Sequence, residues 1–325
     1  MKQAPFEARH RGEWAAFERF LDRGAKPAKG AAPVFEPAEM PLRYRRLCQD
    51  LALAADRQYS PDLVDRLNHL ALRGHHQLYA NRGRQSQRLI DFFLVSFPAL
   101  VREEWRIVGA AALLFYGPLL LLLAALQLFP DFVHYILSPG QIARFHEMYD
   151  PANRNIGMRE ADTNLAMFGF YIWNNVRIGF QTFAGGILAG VGSVWFLGAN
   201  GIIIGAVAGY LTQVGYGPTF WSFVSGHSSL ELTAIVISGA AGLRLGLAVI
   251  APGNLTRKAA LVAAAKPAVR LMYGAATLFF AAAFVEAFWS PHSGIPFELK
   301  ISAGIAGWAL LLGYLLFAGR ARAAR

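Results

Sequence analysis

The stretch from Gly226 to Gly246, GHSSLELTAIVISGAAGLRLG, decides the fold class of this chain. It is apolar and long enough for a membrane helix, which needs about 20 residues, yet it carries His227, Glu231 and Arg244. Ionisable side chains at bilayer depth are costly, and they usually face a bundle interior or a wet cavity and mark function. The stretch therefore predicts both a membrane helix and a candidate functional site.

The composition extends the membrane signature to most of the chain. Of the 325 residues, 55% are hydrophobic and 16% are charged, against about 25% charged residues in typical soluble domains. The charges are concentrated in the N-terminal part, and the rest comes in long apolar runs. We predict an all-α fold: a polytopic membrane helix bundle of about six spans with a small N-terminal helical cytosolic domain.

The net charge of +10 is explained by Lys and Arg retained on the cytoplasmic side of a membrane protein. No nucleic-acid-binding motif accompanies it, so the bilayer, and not a nucleic acid, is the expected partner. Cys48 is the single cysteine, which excludes an intrachain disulfide and fits a reducing compartment. The N-terminus is polar, with Arg9 and Arg11 where a signal peptide needs an apolar core. The first hydrophobic span is therefore expected to direct insertion.

Residues 1–85 are expected to form the cytosolic helical domain. Apolar residues recur at helical spacing over 4–23 and 42–57, and Ser60-Pro61 is a good start for a third helix. The following segment, 86–106, is amphipathic and predicts a helix in the membrane interface.

The transmembrane domain is predicted over 107–320, followed by a basic cytosolic tail, 321–325. Residues 129–165 are polar and acidic, and we expect them to form an outer segment whose helices lie on the membrane. A tight turn is expected at 198–201. The predicted spans are 107–128, 178–197, 202–214, 230–250, 271–289 and 301–317.

The distribution of Lys and Arg predicts the orientation. Basic clusters lie in the N-terminal domain, in the 251–270 loop and at the C-terminus. The positive-inside rule then places both ends of the chain in the cytoplasm. We expect a multi-pass protein of the bacterial inner membrane.

His227 and Glu231 are four residues apart and share one face of a helix. The His-Glu-x-x-His pattern is absent, and the pair lacks the third ligand of a catalytic zinc site. No metal or other cofactor is therefore predicted. Two interpretations stay open: a buried, hydrogen-bonded or proton-sensitive pair, or polar residues at the outer interface beside Tyr216 and Trp221.

Four other polar residues are candidates for function. Arg244 lies about 20 Å from Glu231 along a helix, so we expect it to contact lipid headgroups at the inner interface. Asn174, Asn175 and Arg177 are expected at the start of the second span, where Asn can cap backbone groups or form hydrogen bonds to the outer loop or to Glu231. The many glycines of the spans favour close helix packing.

These motifs resemble one family, the stage II sporulation protein M family of bacterial integral membrane proteins. That family shows a His, a Glu four residues later, a small-residue helix ending Gly-Leu-Arg-Leu-Gly, and an Asn-Asn-hydrophobic-Arg step at an earlier span. The resemblance is strongest over 174–250 and covers most of the chain. It implies a membrane scaffold, because the namesake recruits cell-wall hydrolases during engulfment. It also implies an AAA-type ATPase as a cytosolic partner, because such an ATPase is often encoded beside the long forms.

No catalytic motif opposes a scaffold function. The chain lacks a nucleotide-binding loop and a nucleophile elbow. We therefore expect a non-enzymatic scaffold or anchor of an envelope-associated complex, with a cytosolic AAA-type ATPase or cell-wall enzymes outside as partners. The alternative is a transporter or channel that uses the Glu231/His227 pair, and a weaker option is an intramembrane hydrolase. The glycine-rich spans fit a homo-oligomer and a compact monomer equally well.

Overall fold

The structure, a computed structural model, describes residues 2–23, 34–152 and 161–320. All regular secondary structure in these ranges is helical. The chain forms two compact units, Met1–Asp91 and Phe92–Arg325. We call them the N-terminal unit and the membrane unit.

The N-terminal unit consists of three helices, α1 (Gln3–Arg23), α2 (Met40–Asp56) and α3 (Pro61–Asp91). This confirms the three predicted helices, although α3 is longer than expected. Their core is built mainly from aromatic and leucine side chains: Phe6, Trp14, Phe17, Phe20, Phe35, Leu47, Leu63, Leu67 and Leu70. The Trp14 indole donates a 2.9 Å hydrogen bond to Asp50, which satisfies the polar atom that the buried ring brings into the core.

The membrane unit consists of α4 (Phe97–Glu103), α5 (Trp105–Leu128), α6 (Pro139–Tyr149), α7 (Ala161–Ala184), α8 (Val191–Gln213), α9 (Gly217–Ile250), α10 (Arg257–Phe288) and α11 (Phe297–Phe317). Five of these helices, α5, α8, α9, α10 and α11, are long and apolar enough to cross a membrane. The polytopic helical fold is thereby confirmed, with α7 as a sixth long but more polar helix.

Helix α7 traverses the bundle with the five apolar helices. At its start, the Phe168 ring lies 5.5 Å from the Phe288 ring near the end of α10. Just beyond its end, Gly186 lies against the backbone of Gly242 in the second half of α9. Helices α5 and α8 run parallel, because Gly201 packs on Phe115 and Gly205 packs on Leu119. A helix that crosses the bundle in the opposite direction must therefore lie between them in sequence, and α7 is that helix.

Both ends of the membrane unit lie at the same end of the bundle. The Arg102 guanidinium in α4 donates hydrogen bonds of 2.7 and 2.8 Å to the carbonyl oxygens of Leu315 and Ala318. Six traversals, α7 included, return the chain to the end where it started. This arrangement is the one that the predicted topology requires.

The predicted spans 178–197 and 202–214 are wrong in their bounds. Helix α8 continues through the turn expected at 198–201, and the chain turns instead between α7 and α8, where Ala189 and Gly190 have φ of 51° and 82°. Gly201 allows the backbone of α8 to approach α5: a β-carbon there would lie 2.2 Å from the Phe115 carbonyl oxygen. Gly201 therefore serves helix packing and not a turn.

The segment 86–106 is not the single interfacial helix that its amphipathic pattern predicts. Helix α3 extends to Asp91, a π-helical turn follows over Phe92–Ser96, and α4 precedes α5. The Phe97 side chain is buried against Gly274 of α10. The apolar face of α4 is therefore used for packing inside the protein.

The predicted outer segment 129–165 contains a short helical turn, Pro130–Tyr135, and α6. Ser138 and Gln141 form a capping box at the start of α6. Ile142 and Phe145 pack against a cluster formed by the ends of α5 and α8, so the segment covers one end of the bundle. Helix α7 begins at Ala161, slightly before the predicted end of the segment, and the tail 321–325 lies outside the described residues.

Candidate functional site

Helix α9 places Glu231 farther from the start of its helix than the sequence predicts. The helix begins at Gly217, with Pro218 in its first turn, and not at the predicted Leu230. Glu231 is therefore about 21 Å from the start of α9 and about 20 Å from Arg244. The Glu231 side chain is 19% exposed, and this burial favours the buried pair over the interfacial interpretation.

His227 is held by hydrogen bonding and packing. Its side chain is 5% exposed, and its Nδ1 lies 3.1 Å from the Ser290 hydroxyl. Its Nε2 lies 3.7 Å from a Glu231 carboxylate oxygen. If Nδ1 carries the proton and donates a hydrogen bond to the Ser290 hydroxyl, the lone pair of Nε2 faces Glu231.

A third ionisable residue, Glu286 of α10, joins the pair. One atom each of His227, Glu231 and Glu286 lies within 4.8 Å of the other two. The sequence analysis missed Glu286, although it is the one charged residue in the apolar run FFAAAFVEAFW, 279–289. The rule that singled out Glu231, an ionisable group inside a span, identifies Glu286 as well. We call these three residues the His–Glu–Glu cluster.

Lys300, at the start of α11, is a second residue that the sequence analysis missed. It is buried, and its ammonium group donates a 2.7 Å hydrogen bond to the main-chain oxygen of Ser290. The Lys300 carbonyl oxygen accepts a 3.1 Å hydrogen bond from Ser225 of α9. Ser290 thus connects Lys300 to His227, and its place is fixed from two sides.

Arg244 forms an ion pair with Glu104 at the corner between α4 and α5, with 3.0 Å between Nε and the carboxylate oxygen. The interpretation of Arg244 as a lipid contact did not include this pair. A third of the Arg244 side chain is exposed, so the pair and a headgroup contact are compatible. The expected separation from Glu231 holds, because the two residues lie at different depths of α9.

Asn174, Asn175 and Arg177 lie in the middle of α7, so the expectation that they lie at the start of a helix is wrong. The Arg177 guanidinium lies 4.6 Å from the centre of the Trp173 ring. Asn175 is 1% exposed and precedes Gly179, which packs on α9 and α10, by one turn. Its amide nitrogen has no hydrogen-bond acceptor among the described residues, so the anticipated hydrogen bond to Glu231 is not formed.

The His–Glu–Glu cluster combines one imidazole with two carboxylates inside a helical bundle. Such a set can accept and pass a proton, or it can hold a cation. Among the described residues, the cluster is the one group of three His, Cys, Asp or Glu side chains whose ligand atoms are close enough to bind the same metal ion.

Comparison with known families gives two matches. The model described as stage II sporulation protein M matches residues 110–291, and that of a domain of unknown function (DUF8413) matches residues 4–80. Neither the curated proteins nor the solved structures give a match. The first family model covers more than half of the chain and matches the family that the sequence resembles, and its range includes the three residues of the His–Glu–Glu cluster. The chain therefore belongs to the stage II sporulation protein M family, in a long form with an N-terminal helical unit.

Proposed function

We propose that this protein is a non-enzymatic membrane anchor that organises an envelope-associated complex. The observation that carries the proposal is the N-terminal unit, which has an aromatic core of its own. A separate folded module of this kind suits the docking of a soluble partner. Of the partner classes that the family resemblance implies, an AAA-type ATPase suits the N-terminal unit, and cell-wall enzymes suit the helices of the outer segment.

The surface of the N-terminal unit supports a location in water. Ion pairs connect its helices, including Arg66 with Glu18 at 3.2 Å and Arg46 with Glu13 at 3.5 Å. All four side chains are substantially exposed, as is usual for solvated pairs. The proposal therefore assigns this unit to the cytoplasm.

The charges of the membrane unit support the same orientation. At the end where α5 begins and α9 ends, the chain carries Arg102, Arg106, Arg244, Arg257 and Lys258. At the opposite end, the described part of the outer segment carries a single Arg or Lys, Arg144, beside Asp131, Glu147 and Asp150. By the positive-inside rule, these charges support a cytoplasmic location for the basic end of a protein in the bacterial inner membrane.

The orientation is tested with two engineered cysteines in a Cys48→Ser background. Gly12→Cys in α1 and Gly140→Cys in α6 are matched, because a β-carbon at either position meets nothing within 4 Å. In intact spheroplasts, a membrane-impermeant maleimide should label Gly140→Cys and leave Gly12→Cys unlabelled until lysis. The reverse pattern would overturn the orientation.

The anchor function is tested by affinity purification from native membranes in mild detergent. The full chain should bring down a stoichiometric soluble partner, and a chain lacking residues 1–85 should lose it while remaining monodisperse. Retention of the partner by the shortened chain would contradict docking on the N-terminal unit. Purification of the full chain alone would contradict the anchor function.

The His–Glu–Glu cluster favours a second candidate function, transport of protons or cations. If the cluster lies on a permeation path, Glu231→Gln should abolish a flux into liposomes that dyes sensitive to pH or to divalent cations report. Glu298→Gln is the matched control, because Glu298 is an exposed residue near the same end of the membrane unit. Equal fluxes in the two variants, or none in the wild type, would remove this candidate.

A further inference from the structure

We infer that His227, Glu231 and Glu286 bind a divalent first-row transition-metal ion of the Zn²⁺ type within the membrane unit. The sequence offered His227 and Glu231 but no third ligand. The packing of α10 against α9 supplies Glu286 as that ligand. The inference is independent of the proposed anchor function.

The spacing of the three side chains fits a tetrahedral ion. With metal–ligand distances of about 2.0–2.2 Å, two ligand atoms of one zinc ion lie about 3.3–3.5 Å apart. His227 Nε2 and the Glu231 oxygen are separated by 3.7 Å, and the three candidate ligand atoms are all within 4.8 Å of one another. Binding of one ion would bring these atoms closer together by at most about 1.5 Å.

The surroundings of His227 are those of a metal ligand. Metal-binding histidines usually give the proton of the second ring nitrogen to a neighbouring acceptor, which fixes the tautomer and the ring orientation. Here Ser290 lies 3.1 Å from Nδ1, and Lys300 in turn holds the Ser290 backbone. Nε2 is thereby the nitrogen that faces the Glu231 carboxylate, at 3.7 Å.

The charges of the cluster favour a divalent cation. Two carboxylates this close together in an apolar bundle repel each other, and burial makes each charge costly. A divalent ion compensates both charges at once. The imidazole favours Zn²⁺ or Fe²⁺ over Ca²⁺ and Mg²⁺, which prefer oxygen ligands.

Three protein ligands leave one coordination position open. Structural zinc sites in proteins are usually closed by four protein ligands, whereas sites with three keep a position for water or another ligand. The site is therefore of the open type, with the fourth position available to a small ligand.

The inference is tested on the full chain in mild detergent, with Cys48→Ser to remove the only thiol. The protein is stripped with a chelator, supplied with ZnCl₂, and analysed by elemental mass spectrometry and by competition with a chromogenic chelator. We expect one zinc ion per chain. X-ray absorption should show a shell of nitrogen and oxygen ligands that contains a single imidazole.

Matched variants assign the ion to the cluster. Glu286→Gln should weaken zinc binding more than 100-fold, since loss of an outer partner alone costs about 10–100-fold. Ser290→Ala should weaken it by about 10–100-fold, and Glu298→Gln should leave it unchanged. Size-exclusion chromatography checks the folding of each variant.

Three results would overturn the inference. The first is wild-type protein that holds no zinc after reconstitution. The second is unchanged affinity in Glu286→Gln. The third needs no variant: a spectrum with two imidazole ligands would place the ion away from the cluster, which contains a single histidine.

Discussion

The cores of the two units are built from different residues. The N-terminal unit buries large side chains, among them Phe6, Trp14, Phe17 and Phe20. The core of the membrane unit is rich in alanine, and its helix backbones approach each other at glycines, as α8 approaches Phe115 of α5 at Gly201. The difference follows the solvent that each unit faces.

In water, apolar side chains gain about 25 cal/mol for each Å² that they bury, so large side chains stabilise a small helical unit most. Lipid removes this driving force between helices, because the acyl chains are as apolar as leucine. Association then depends on close packing and on hydrogen bonds. In the membrane unit, small residues allow the close packing, and hydrogen bonds around Ser290 connect the helices.

The largest expected effect concerns a glycine contact in the membrane unit. In Gly186→Ala the new β-carbon would lie 2.0 Å from the carbonyl oxygen of Gly242, and backbone atoms on both sides prevent relief by a side-chain rotation. We expect loss of the monodisperse protein in detergent, measured by size-exclusion chromatography after mild heating.

Gly198→Ala is the matched control for this prediction. A β-carbon at Gly198 meets nothing within 4 Å, and the position lies inside α8. Alanine there should leave the heat resistance unchanged or raise stability by up to about 1 kcal/mol. Equal damage in both variants would mean that glycine content matters, and not the specific contact of α9 with the turn after α7.

The N-terminal helices could be predicted because their periodicity is that of a protein in water. Apolar residues recur along α1 and α2, and Ser60-Pro61 marks the start of α3, so the pattern and the end signals agree. The extension of α3 to Asp91 was missed, because its second half lacks a clear apolar stripe.

The membrane unit was harder to predict, because its spans carry polar residues and glycines for packing. Asn174 and Asn175 indicate a helix start in a soluble protein, yet they lie inside α7. The polar run 226–229 concealed the first part of α9. The His–Glu–Glu cluster depends on how α9 and α10 pack, which no spacing within one helix reveals.

The second prediction applies to the core of the N-terminal unit. Leu67→Ala removes a fully buried side chain of α3 and should destabilise the unit by about 2–5 kcal/mol. Hydrogen exchange of residues 34–78 in the full chain measures the effect. The membrane unit should keep its exchange protection, because it has a core of its own.

Leu72→Ala is the control on the same helix. The Leu72 side chain is 58% exposed, so the same substitution should change exchange by less than about 0.5 kcal/mol. Comparable losses at the two positions would contradict the assignment of the aromatic and leucine cluster as the core.

The smallest expected effect compares one ion pair from each unit. Glu104, paired with Arg244 in the membrane unit, is 16% exposed, whereas Glu39, paired with Arg43 in α2, is 46% exposed. Breaking a fully buried pair costs about 3–5 kcal/mol, and exposed pairs contribute about 0.2–1 kcal/mol. Glu104→Gln should therefore destabilise the membrane unit by about 1–2 kcal/mol, since its partner is partly exposed.

Glu39→Gln should change the N-terminal unit by less than about 0.5 kcal/mol, the usual value of an i, i+4 pair on a helix. Thermal retention of the monodisperse protein reports on Glu104→Gln, and hydrogen exchange of α2 reports on Glu39→Gln. A larger loss of stability in Glu39→Gln than in Glu104→Gln would contradict the comparison, because an exposed ion pair would then contribute more than a partly buried one. An effect confined to Glu104 would show that the corner between α4 and α5 is held on α9 by its charge as well as by packing.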